Sequence, residues 1–203
     1  MSPLPTTMSR KIFFAVAFCF ASASAKFVHI SSPVITNWGA WGHYEPCPPG
    51  TYVYGFQLIA ESTQGFFGGD SALNGINLLC ISPAVRRNAS TSAATKISSA
   101  IGHEGYPRRV MECPDPYFAN GFQLRSENFQ GWYVDDTAAN NLLLHCTNGR
   151  YIVGDGESRG LWTGIQKCPR GLVICGIQTQ VEEPSKFDDT ALNNVMMGCC
   201  EPV

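Results

Sequence analysis

The chain has 203 residues, with 14 basic against 16 acidic side chains and a formal net charge of −2. No basic stripe runs along it, which excludes nucleic acid as a partner class. At 44% hydrophobic and 15% charged residues it has the composition of a folding chain, not of a disordered one.

At the N-terminus, Arg10 and Lys11 precede an apolar run, Ile12–Phe20, and then the small residues Ala21 to Ala25. That order predicts a secretory signal peptide over residues 1–25, cut after Ala25. The run is about half of the ~20 residues a spanning helix needs, and no later segment is long and apolar enough, so no membrane span is expected. Cleavage removes Cys19 and leaves eight cysteines in residues 26–203, an even set suited to an oxidising compartment. Residues 26–203 suffice for one domain with its own core.

A first unit, about residues 38–80, opens on Trp38-Gly39-Ala40-Trp41-Gly42 and reaches Cys47. The phrase GFQLIAE at Gly55–Glu61 sets Phe56, Leu58 and Ala60 against Gln57, Ile59 and Glu61. A period of two predicts a half-buried strand. A loop with Phe66 and Phe67 leads to Asp70 and to GDSALNGINLLC, a strand apolar enough to be well buried, ending at Cys80. A polar stretch, Val85–Ser99, carries the sequon Asn88-Ala89-Ser90, where a glycan is expected on Asn88.

A second unit, about residues 97–146, repeats the pattern with Cys113, GFQLRSE at Gly121–Glu127, Trp132 and Tyr133 in the loop, and DDTAANNLLLHC through Asp136 to Cys146. A third, about residues 160–200, has Gly160-Leu161-Trp162, Cys168, GIQTQVE at Gly176–Glu182, and DDTALNNVMMGC through Asp189 to Cys199. The first cysteine precedes the glycine by eight residues in every unit, and the aspartate precedes the last cysteine by ten. Such a repeat means three units that must bury their apolar faces on one another. With 20 glycines and 13 prolines for turns, the fold class is all-β, about four short strands per unit.

The repeat suggests a disulfide pairing between the start and end of each unit: Cys47–Cys80, Cys113–Cys146 and Cys168–Cys199. Cys175 and Cys200 remain as a fourth pair, and exchanging Cys199 with Cys200 is equally allowed. Each bridge closes a loop worth about 3–4 kcal/mol in chain entropy.

The repeated D-[DNS]-[ST]-A-x-N-[GN] phrase, the GFQL strand before it, and the Trp38–Gly42 and Gly160–Trp162 openings resemble the vitelline membrane outer layer protein I family. The resemblance runs from Asn37 to Cys200, nearly the whole of residues 26–203. It implies a β-prism, three antiparallel sheets around a pseudo-threefold axis. It implies secretion into protective layers around eggs and other extracellular fluids. A transfer activity on N-acetylchito-oligosaccharides is ascribed to the family's avian member. Two departures stand out: Ile97–Val110 has no tryptophan where the second unit should open with Gly-x-Trp, and the first unit has Gly69-Asp70-Ser71 for Asp-Asp-Thr. No catalytic residue follows from the resemblance.

Asp70, Asp136 and Asp189, with Glu61, Glu127 and Glu182, are the carboxylates that glycosyl chemistry would use, because it needs one neutral and one ionised acid side by side. Three near-identical copies instead suggest one turn built three times, since a catalytic pair needs unlike members. Asn74, Asn140 and Asn193, with Asn141, Asn194 and Gly75, read as turn residues tolerant of positive φ. The loop aromatics Phe66, Phe67, Trp132 and Tyr133 are the binding candidates, while Trp38, Trp41 and Trp162 are expected in the prism core. Four histidines lack metal-ligand spacing, and no nucleophile elbow, free cysteine, phosphate loop or cofactor motif is present. The expectation is a secreted component of an extracellular coat or egg-envelope-like layer that binds glycoproteins or glycans. The alternative is a lectin or transferase acting on N-acetylchito-oligosaccharides.

Overall fold

The computed structural model describes residues 26–61, 73–88, 93–128, 138–183 and 191–203. In chain order the strands are β1 (Phe27–Ser31), β2 (Ala40–Trp41), β3 (Glu45–Pro46), β4 (Tyr52–Ala60) and β5 (Leu73–Ile81). A five-residue helix, α1 (Pro83–Arg87), precedes β6 (Thr95–Ile97), β7 (Tyr106–Glu112), β8 (Ala119–Ser126) and β9 (Ala139–Cys146). The rest are β10 (Tyr151–Val153), β11 (Leu161–Trp162), β12 (Gln166–Lys167), β13 (Val173–Val181) and β14 (Leu192–Cys200).

These strands make three antiparallel sheets, each centred on one GFQL-type hairpin. The first sheet runs β6-β5-β4-β7, the second β10-β9-β8 with β11 and β12 on β8, and the third β1-β14-β13 with β2 and β3 on β13. The result is a β-prism. A unit does not keep the strand that leads into it. The lead strand β7 of the second unit pairs with β4, β11 and β12 of the third pair with β8, and β2 and β3 of the first pair with β13. Each sheet is therefore built from two units, and the N-terminal strands close the ring on the C-terminal hairpin.

The alternation read from the sequence points Phe56, Leu58 and Ala60, Phe122 and Leu124, and Ile174 and Ile177 inward. They meet Ile76, Leu78, Leu142, Leu144, Val195 and Met197 in one core shared by all three sheets. No single sheet buries these residues alone, and about 1.5–3 kcal/mol per fully buried large aliphatic side chain accrues only when all three close.

Four disulfides are formed: Cys47–Cys80, Cys113–Cys146, Cys168–Cys199 and Cys175–Cys200. The first three are seams between sheets. Cys47 donates its amide to the Cys175 carbonyl in the third sheet while its sulfur binds Cys80 of the first. Cys113 likewise bonds the Tyr54 carbonyl in the first sheet and Cys146 of the second. Cys168 bonds the Asn120 carbonyl in the second and Cys199 of the third. The fourth bridge lies within the third sheet, between β13 and β14.

Among the described residues, helix α1 is the one element outside the strand pattern. Ser82 caps it by accepting from the Val85 amide, and Pro83 starts it, a combination suited to a first turn. It delivers Arg86 into the end of the prism, where the guanidinium lies over the Tyr54 ring, pairs with Asp115 at 2.8 Å and bonds the Cys113 carbonyl. Burial, then the Glu112 charge, push the Tyr54 hydroxyl's pKa up. Asn88 is the exposed C-cap residue of this helix.

Candidate functional site

Of the residues singled out from the sequence, Phe66, Phe67, Asp70, Trp132, Tyr133, Asp136 and Asp189 lie outside the described residues. Glu61, Glu127 and Glu182 are described. Each is half-buried and stands just past the end of its central strand, where Glu127 and Glu182 close their hairpins by amide bonds to Ala138 and Ala191.

The asparagines differ from the turn reading. Asn74, Asn140 and Asn193 sit in strands with buried side chains, and Ala191 is the one non-glycine residue at positive φ among those described. Strand geometry turns these three toward the core, and Asn193 there accepts the Trp38 amide at 3.1 Å. Asn194 faces the other way and donates to the Thr36 carbonyl at 2.7 Å.

The tryptophans also differ from expectation. Trp38 and Trp41 are 45% and 44% exposed, so they do not fill the core. The reason lies in the lead strands. Gly39, Gly105 and Gly160 all adopt positive φ and lay the chain onto the ends of β13, β4 and β8. A Cβ on Gly39 or Gly160 would overlap the Val181 or Ser126 carbonyl. Two residues beyond each glycine the side chain emerges on the outer face: Trp41 opposite Gln180, Trp162 opposite Arg125. In the second unit this position is Pro107, after Gly105-Tyr106, so the turn persists without its tryptophan.

At the corner between the second and third sheets, these elements leave an open groove of about 490 Å³. Its lining is mixed: Ile35, Leu161 and Trp162 are apolar, with Leu161 80% exposed, and Ser126, Glu127, Asn128 and Thr163 are polar. Trp162 is steadied by the Arg125 guanidinium, 5.8 Å from its ring, which in turn bonds the Arg159 and Gly160 carbonyls at 3.1 Å. A ligand that suits this lining has a CH-lined face for the indole and hydroxyl or amide groups for the polar residues. Sequence reasoning did not bring Ile35 to Trp162. They are far apart in the chain, and two-residue strands carry no periodicity to reveal the closure.

Among the described residues no group of three or more His, Cys, Asp or Glu could hold a metal ion, and no helix is long and apolar enough to cross a membrane.

A profile described as vitelline membrane outer layer protein I matches residues 28–202. The vitelline membrane outer layer protein 1 homolog of Mus musculus is 35% identical over 173 residues, 82% of this chain and 81% of that protein. The Homo sapiens homolog is 36% identical over 165 residues, 80% of this chain and 78% of that protein. Among solved structures, Calystegia sepium agglutinin superposes with a TM-score of 0.52 at 12% identity, covering 84% of this chain and 94% of its own. At that identity the likeness is one of fold.

Proposed function

The chain belongs to the vitelline membrane outer layer protein I family, and on that footing we propose that it is a secreted, non-catalytic component of an extracellular coat that binds glycans or glycoproteins. The observation that carries the binding role is the groove of mixed apolar and polar lining at Trp162 and Glu127. A pyranose ring is mixed in the same way, with an apolar CH face and a rim of hydroxyls. Stacking on the half-buried indole with hydrogen bonds to Glu127, Asn128 and Thr163 uses both.

The N-terminal signal-peptide pattern and the four disulfides support an extracellular location. The repetition supports a role without catalysis, because Glu61, Glu127 and Glu182 occupy matching places after matching strands. A catalytic pair requires two carboxyls held in unlike environments.

A glycan array probed with the mature protein and with Trp162→Ala tests the reading. The expected outcome is binding by the wild type that falls at least about tenfold in the variant, the scale of about 1.5 kcal/mol for one lost aromatic contact. Equal signals from both would remove the groove from the account.

A further inference from the structure

The pseudo-threefold repeat provides its own control, because every outward position of one sheet has two counterparts. In the second sheet one row across the outer face reads Lys167, Gly121, His145, Tyr151. The same row reads Pro46, Gly176, Gly198, His29 in the third sheet and Glu112, Gly55, Leu79, Lys96 in the first. Two rows toward the groove, past Gln123, the second sheet has Trp162, Arg125 and Asn141.

The strands of the second sheet contain no aspartate or glutamate, although the whole chain is net acidic. Those of the third sheet contain no lysine or arginine, and in the first sheet Glu112 shares its row with Lys96. The strands of the first sheet carry Lys96, Arg108 and Arg109 with Glu112 among them, so basic side chains without a carboxylate are confined to the strands of the second sheet.

The geometry points to an ionic ligand. Gly121 has no side chain in the middle of its row, and the Lys167 side chain lies against it there. His145 lies on the other side of Gly121, bonded to the Gln123 amide oxygen at 3.1 Å and next to the exposed Tyr151 ring. No ion pair to Lys167 or Arg125 occurs among the described residues. Burial, then the Lys167 charge, lowers the His145 pKa. Trp162 joins this face to the groove, and the β8 partners of Trp162 and Lys167, Arg125 and Gly121, are four residues apart, roughly 13 Å.

We propose that the outer face of the second sheet binds an acidic glycan, with carboxylates or sulfates of successive sugars at Lys167 and Arg125 and its sugar faces on Tyr151 and Trp162. This rests on the glycan-binding reading of the adjoining groove and names the ligand class. Glu127 in the groove wall disfavours an anion there, so the charged sugar lies on the sheet and a neutral one at the corner.

Titration calorimetry with three forms of one chondroitin hexasaccharide tests this: sulfated, desulfated with carboxylates kept, and desulfated with carboxyls reduced. The anionic forms should bind at least about fivefold more tightly than the neutral one, with the gap shrinking as salt rises. Preference for the sulfated form alone names sulfate, and preference for both names the carboxylate. Lys167→Glu should erase the gap and Lys96→Glu on the first sheet should keep it, both at unchanged thermal midpoint. Equal binding of all three forms would overturn the acidic-ligand inference and leave the glycan reading standing. Equal loss in both variants would overturn the placement on this sheet. Binding of none would sink both readings.

Discussion

Two residues, a glycine and a glutamine, recur in every unit for reasons that only the neighbouring unit supplies. Gly55, Gly121 and Gly176 mark a bulge in the central strand, where a Cβ would come 2.5 Å from the Met111 oxygen, 2.8 Å from the Gln166 oxygen and 2.9 Å from the Glu45 oxygen. Two residues on, Gln57, Gln123 and Gln178 donate to the Arg108, Thr163 and Gly42 carbonyls at 2.7, 2.6 and 2.7 Å. Each lead strand breaks step at that carbonyl, and the glutamine amide satisfies it in place of the ladder. The sequence displays the GFQ phrase three times, yet its purpose is invisible there because every partner belongs to the following unit, or to the first unit for the last hairpin. Gly39 permits a sharper test, since its φ is +78° and a Cβ would meet the Val181 backbone, whereas Gly50 has φ +73° and open space. Gly50→Ala should cost about 1 kcal/mol for conformation alone, and Gly39→Ala about 3 kcal/mol or more. Urea denaturation reads both, and equal losses would mean that the close approach at Gly39 is relieved without strain.

At the scale of elements, the central hairpins were legible and the lead strands were not. Alternation in GFQLIAE and GFQLRSE gave β4 and β8 their inward faces, and the apolar NGINLLC and NNLLLHC runs gave β5 and β9. Strands β2, β3, β11 and β12 have two residues each, too few for a period, and their pairing depends on contacts far away in sequence. The same gap placed the tryptophans wrongly: without the lead strand's register, nothing says which face Trp41 takes. Disulfides at the seams hold these short strands against the prism. Cys47→Ser with Cys80→Ser should lose about 3–4 kcal/mol. It should also raise hydrogen exchange at the lead strand around Glu45. Cys175→Ser with Cys200→Ser removes a staple inside one sheet and should leave that exchange slow. Fast exchange at Glu45 in the second variant alone would contradict the seam assignment.

For the whole molecule, the repeat makes a closed ring and the departures from it make the function. Phe27 pairs with Cys200, so the two ends of the described chain meet in the third sheet and the prism has no free unit. The symmetry leaves three corners alike in backbone: three glycine turns, three glutamates, three lead strands. Side chains then set them apart, with Trp162 beside Ile35 at one corner, Trp38 and Trp41 at another and Tyr106-Pro107 at the third. A threefold scaffold whose corners differ in side chains, with an amphipathic groove at Trp162, is suited to recognising a glycan, and its matched glutamates are poorly suited to dividing acid and base roles.

The most direct measurement of that claim is a native mass spectrum of the mature protein after incubation with defined N-acetylchito-oligosaccharides and complex glycans, reading protein adducts and sugar lengths together. Sugar adducts on the protein with every oligosaccharide length unchanged are the predicted result. New sugar lengths that vanish on Glu127→Gln would contradict it and make the groove an active site.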